Sequence, residues 1–278
     1  MRILVTENQY RRILSEFYEK GYSFDWDDNV LNMPTKIHLE KKSNGGWKDY
    51  EVSTEKFREI RHELDGEKLR LKNNNPNDAF KDFKTEIFIQ HTKDAINANE
   101  FGPSFKKFKK ALINGYDFSI ITARGISKDS LRKGIKVLID MTFSDEEKET
   151  MNKNLKEKKY KSIDDYISDQ QLSAVSSEEF KTEYQSKGGA ENPEVAKTMA
   201  FEKYVESVVK KVEDLVDHPD REGVKIGFSD DDLGNIKKME EFIRKELLKK
   251  YPKVKFVIYD TSNPKDVKKK YINIEIDN

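Results

Sequence analysis

The chain has 278 residues, 35% hydrophobic and 37% charged, enough for one α/β core with insertions and a large solvated surface. Lysine plus arginine and aspartate plus glutamate each number 52, so net charge makes no case for nucleic acid, which would need a local basic patch. Without cysteine there is no disulfide scaffold, thiolate metal site or thiol nucleophile, and 4 histidines argue against a histidine-rich metal centre. No apolar run approaches the ~18–20 residues of a membrane span, and the opening lacks a signal-peptide pattern. The expectation is a soluble, cytoplasmic protein with no membrane partner.

In chain order, a helix is expected from about Glu7, with Ile13 and Phe17 on its apolar stripe and Gly21 ending it. Tyr22 to Asp25 reads as a short strand running into the acidic string DWDD. TKIHLEKK and WKDYEVS alternate on either side of Ser43-Asn44-Gly45-Gly46, a hairpin signal. A charged helix (FREIRHEL) and a polar loop (LKNNNPND) follow. Phe105, Phe108 and Leu112 mark an amphipathic helix closed by Gly115, and its FKKFKK lysines read as a solvated face rather than a nucleic-acid patch.

DFSIITARG is a buried strand ending in a polar turn. Residues 126–191 read as a polar, irregular helical excursion with weak apolar periodicity. Asn192-Pro193-Glu194 opens a helix in which Phe201, Tyr204, Val205 and Val208 share a face. VKIGFS, an acidic turn, a helix bearing Leu233, Ile236, Ile243 and Leu247, then the strands KFVIYDT and YINIEI complete the chain. Alternating strands and helices predict an α/β fold: a Rossmann-like, mainly parallel sheet with helices on both faces. The core is assigned to 1–31 and 100–278, with the helical insertion at 126–191, and 32–99 is a cap insertion containing the hairpin.

Sites in open α/β sheets lie at the carboxyl ends of strands. There the chain places Asp25, Asp27 and Asp28, then Thr122, then Asp230, Asp231 and Asp232. Two acidic clusters on neighbouring strand tips repel each other unless a divalent cation joins them, and an oxygen-rich, histidine-poor set suits Mg²⁺. Read alone, each piece also has a plain structural account. DWDD can be a solvated turn, Thr122 a strand end or helix cap, and the 230–232 run a set of N-capping acids, Asp232 above all. Asn235 can reach the same site or sit exposed on its helix, and Trp26 is expected to point away and pack beside the sheet.

In their order along the chain these segments resemble the motifs of the haloacid dehalogenase-like superfamily. Asp25-Trp26-Asp27-Asp28-Asn29 matches both aspartates of the first motif, DxDx(T/V), but has Asn29 where Thr or Val is usual and Asp28 where Gly is common. FSIIT, ending in Thr122, matches the second motif, and KIGFSDD the fourth. For the third, a lysine, Lys197 lies in line with Phe201 in the first turn of its helix, AKTMAF is similar to the family's pattern, and Lys203 falls on the solvent face.

The resemblance implies a Mg²⁺-dependent phosphatase acting on a small phosphorylated substrate. Asp25 is its nucleophile, forming an aspartyl-phosphate, and Asp27 its general acid and base. Thr122 and Lys197 bind phosphoryl oxygens, and Asp25, the Asp27 carbonyl and Asp230 or Asp231 hold the metal. Two other readings stay open. One is a polynucleotide-end phosphatase, which a basic stripe from cap to Asp25 would favour; the other is a non-enzymatic module of the same fold, toward which Asn29 leans.

Overall fold

The computed structural model describes residues 19–184, 192–214 and 224–272. The helix expected from Glu7 lies outside them. Strand β1 (Glu19–Phe24) is followed by the hairpin β2 (Lys36–Ser43) and β3 (Gly46–Ser53), helix α1 (Thr54–Ile60), the short strand β4 (Leu69–Leu71) and a one-turn helix α2 (Pro76–Ala79). Then come α3 (Thr85–Asn97), α4 (Phe105–Ile113) and β5 (Asp117–Thr122). After these lie α5 (Lys128–Thr142), α6 (Asp145–Glu157), α7 (Ile163–Ser168), β6 (Gln171–Ala174) and α8 (Glu178–Tyr184). The chain continues through α9 (Pro193–Asp214), β7 (Val224–Asp230), α10 (Leu233–Phe242), β8 (Lys255–Asp260) and β9 (Lys268–Ile272).

The main sheet has six strands in the order β6-β5-β1-β7-β8-β9, parallel except for β9. Alternation along the strands divides the interior into two layers. Phe24, Phe118 and Ile120 face α3 to α7, whereas Ile121, Ile226, Phe228 and Ile258 face α8 to α10. The fold is therefore α/β with a Rossmann-like sheet covered on both sides. No helix among the described residues is long and apolar enough to cross a membrane.

Gly21 lies inside β1, not at a helix end. A Cβ there would sit 2.7 Å from the Tyr204 hydroxyl, so the glycine is needed for the close approach of α9 to the sheet. LKNNNPND is not a loop throughout: Leu71 ends β4, and Asn75 caps α2 by accepting from Asn77 N at 2.9 Å. The described part of the 126–191 stretch, residues 126–184, is no excursion. Leu131, Ile135, Leu138 and Ile139 of α5 are core residues, and β6 is a strand of the main sheet. Helix α3, placed with the cap on sequence, also belongs to the core, where Phe88 packs on Trp26 with ring centres 5.6 Å apart.

What stands apart is a three-stranded sheet, β3-β2-β4, with α1 and α2 and its own small cluster of Ile37, Leu39, Val52, Ile60 and Leu69. The β2–β3 register pairs Ser43 with Gly46 at the Asn44-Gly45 turn.

Candidate active site

The central strand β1 ends at Phe24, and its continuation is tied to β7 by Asp25 N donating to Ser229 O at 3.0 Å. This sets Asp25 beside Asp230 at the carboxyl ends of neighbouring parallel strands. Lys197, in the first turns of α9, is 2% exposed and spans the two, its Nζ 2.8 Å from Asp25 Oδ2 and 2.7 Å from Asp230 Oδ2. Trp26 N donates to Asp25 Oδ1 at 2.8 Å, so both carboxylate oxygens are held and the plane of the group is fixed.

Asp230 and Asp231 have different surroundings. Asp230 is fully buried and accepts from Lys197, from Asn235 Nδ2 at 3.0 and 3.1 Å, and from Asp232 N at 2.9 Å. Asp231 faces the cleft and is paired with Arg58 of α1. Asp232 is the N-cap of α10, its side chain accepting from Gly234 N at 2.6 Å. Ligand oxygens of Asp25, Asp230 and Asp231 lie within 4.8 Å of one another, an all-carboxylate set able to hold a divalent cation.

Burial drives the local proton affinities. Burial pushes the Asp25 carboxyl well up against the pull of Lys197, with Asp230, Asp231 and Asp27 adding to the rise. Burial, reinforced by Asp230, raises Asp231 to about 7 although Arg58 opposes it. Lys197 is held above its ordinary value because Asp230 and Asp25 more than offset its burial. The acidic side chains of the site outnumber Lys197, Arg58 and Arg124, and a bound cation would correct that imbalance.

Asp27 points to the other side of the cleft. Arg124 clamps it with two parallel bonds, Nε to Oδ2 at 2.8 Å and Nη2 to Oδ1 at 2.6 Å. Arg124 is itself sealed in the protein, with Nη2 donating to Thr35 Oγ1 at 2.7 Å and its guanidinium centre 4.8 Å from the Phe83 ring and 5.1 Å from the Phe88 ring. Thr35 in turn meets His91 Nδ1 at 3.1 Å. Thr122, buried at the end of β5, lies 3.5 Å from Asp27 Oδ2 and accepts from Arg124 N at 3.3 Å. The cap of α5 is Ser127, not Thr122.

The two off-pattern residues of the acidic string have local causes. Asp28 adopts a left-handed φ of 56°, a conformation in which glycine is unstrained and Asp is tolerated, and it accepts from Thr54 of α1 at 2.5 Å. Burial raises its carboxyl to about 6, with the Thr54 bond opposing. Asn29 is fully buried and turned away from the cleft. Its Nδ2 donates to Asp25 O at 3.2 Å and Ser229 O at 3.1 Å, and its Oδ1 accepts from Ser229 Oγ at 3.1 Å and Thr261 Oγ1 at 2.9 Å. It clamps the ends of β1, β7 and β8 together and takes no place in the site.

Asp25, Asp27, Thr122, Lys197 and Asp231 therefore line one cleft of about 660 Å³, and Asp230 braces them from behind. Its far wall comes from the cap and includes Phe57, Arg58, Phe80 and Phe83. Sequence reasoning passed over Arg124, Arg58, Thr35 and His91. Arg124 had a signal, a cation two residues beyond the strand-end Thr122, whereas the others reach the site only through the tertiary fold. No family model, curated protein or solved structure matches this chain.

Proposed function

We propose that the protein is a magnesium-dependent phosphomonoester hydrolase of the haloacid dehalogenase-like kind, working in the cytoplasm. The observation that carries this reading is the strand-end pair Asp25 and Asp231, with Lys197 behind them and Asp27 facing them across the same cleft. Fold stability gives no reason to collect these carboxylates in one buried place, since their mutual repulsion and desolvation oppose folding.

In this reading an oxygen of Asp25 attacks phosphorus while the bond from phosphorus to the ester oxygen breaks, leaving an aspartyl-phosphate. Asp27, aimed by Arg124, is the general acid that gives a proton to the departing oxygen. A water oxygen then attacks phosphorus as Asp27 takes back a proton, releasing inorganic phosphate and restoring the Asp25 carboxylate. Lys197 and the Thr122 hydroxyl stabilise the phosphoryl oxygens during both transfers. Asp25, Asp231 and the Asp27 carbonyl would hold magnesium, which when bound would supply positive charge against nucleophile and substrate.

The test is hydrolysis of p-nitrophenyl phosphate with and without Mg²⁺, in the wild type and in Asp25→Asn. Magnesium-dependent turnover that disappears in the variant supports the reading. A wild-type protein inert toward a broad panel of phosphomonoesters, or a variant of full activity, contradicts it.

A further inference from the structure

The cap wall of the cleft has a composition that the phosphoryl chemistry does not require. Phe57, Phe80 and Phe83 form an edge-to-face run, with ring centres 5.7 Å apart for Phe57–Phe80 and 5.6 Å for Phe80–Phe83. All three line the cleft, and all three are only half-buried. The cap's own interior is sealed by Ile37, Leu39, Val52, Ile60 and Leu69, with these rings at its edge. In a chain with 35% hydrophobic residues, three aromatic rings left open to one cleft mark a place for an apolar ligand surface.

Their position relative to Asp27 defines which part of the substrate meets them. A proton from Asp27 goes to the leaving oxygen, so the leaving group extends from the Asp27 side. Phe83 lies on that side, 4.8 Å from the guanidinium that grips Asp27. The cleft, about 660 Å³, is far larger than a phosphate on a short aliphatic alcohol would fill.

From this juxtaposition we infer that the substrate is a free nucleoside monophosphate, its base stacked on the Phe57–Phe80–Phe83 wall. Base–aromatic stacking suits such a wall because every base has a π-face. The mononucleotide is favoured over a strand end by the charge of the rim. Arg58 is paired with Asp231, Arg61 with Glu194 and Lys181 with Glu178, and Lys84 is a single further cation, so the rim offers no continuous basic stripe for a phosphodiester backbone. The inference rests on the hydrolase reading for its orientation, because Asp27 defines the leaving-group side.

The experiment compares kcat/KM, with Mg²⁺ present, for adenosine 5′-monophosphate and ribose 5-phosphate, which share phosphate and sugar and differ by the base. The expected ratio is on the order of tenfold or more, falling toward one in Phe80→Leu and in Phe83→Leu. Equal values in the wild type overturn the inference, and so does a ratio unmoved by both substitutions. Faster hydrolysis of a 5′-phosphorylated oligonucleotide than of the mononucleotide overturns the assignment to a free nucleotide. If no ester at all is hydrolysed, the hydrolase reading fails, and calorimetry with adenosine 5′-monophosphate judges the cleft by itself. Binding weakened by Phe80→Leu then supports the aromatic wall, and absence of binding overturns it.

Discussion

The Arg124–Asp27 fork is the residue-scale feature with the sharpest consequence, because in the proposed mechanism it makes the orientation of the general acid depend on a buried guanidinium. Replacing Arg124 by Lys removes the bidentate geometry and lowers kcat, by up to the ~10²–10⁴ that a positioned general acid supplies. The loss is large for an alkyl phosphate and small for p-nitrophenyl phosphate, whose leaving group needs little protonation; equal losses would contradict the role. Arg58 supplies a second residue-scale outcome. It puts a positive charge on Asp231, the carboxylate a cation would use, so Arg58→Met should tighten divalent-cation binding roughly tenfold or more by calorimetry. Weaker or unchanged binding would show that the pair does not oppose the metal. Asp25, Asp27, Thr122 and Lys197 could be picked from the chain because each terminates or opens an element whose apolar pattern is visible. Arg58 could not, since nothing local to FREIRHEL says which carboxylate it will meet.

At the scale of elements, the site depends on how tightly the turn after β1 is held. Gly102 passes beneath that turn, where a Cβ would lie 2.4 Å from Asn29 O, and Gly102 N donates to Val30 O at 3.0 Å. Gly102→Ala forces the turn upward and should cost about 1–3 kcal/mol of stability in denaturant unfolding. An unchanged unfolding midpoint would mean the turn has slack. Asn29→Val should cost a similar ~1–3 kcal/mol, since it leaves Ser229 and Thr261 facing an apolar group in the interior. The hairpin β2–β3 was readable because alternation and an Asn-Gly turn coincide. Helix α3 was not, because two of its buried positions, Thr92 and Ala95, carry little apolar signal between Phe88 and Ile96. Helix α5 has a regular apolar stripe, but the strongly polar α6 beside it made the whole stretch look like an excursion.

For the whole molecule, collecting carboxylates at two strand ends ties stability to pH and to cations. Asp28 and Asp231, raised to about 6 and about 7, bind protons more tightly folded than unfolded, where carboxyls titrate near ~4. Their contribution is complete below ~pH 4 and is lost as pH rises through about 6 and 7. Surface carboxyls with lowered values, such as Asp65 and Glu147, titrate below that window. The metal-free protein should therefore melt several degrees lower at pH 8 than at pH 5.5, and Mg²⁺ should raise the melting temperature more at pH 8. A melting temperature that climbs with pH in the absence of metal would contradict this balance. The mainly parallel sheet covered on both faces followed from strand and helix alternation; the order of its strands and the contacts that seat the cap over the cleft did not, because they depend on long-range pairs such as Thr54–Asp28 and Arg58–Asp231. The most direct test of the central claim is to trap the intermediate: Asp27→Asn mixed with substrate and Mg²⁺, quenched with borohydride and mapped by mass spectrometry. Homoserine in place of Asp25, the product left when borohydride expels the phosphate from an aspartyl-phosphate, is the predicted result, absent when Asp25 is also changed to Asn. Phosphate release by the wild type with no label on Asp25 in the trapped enzyme would contradict the account.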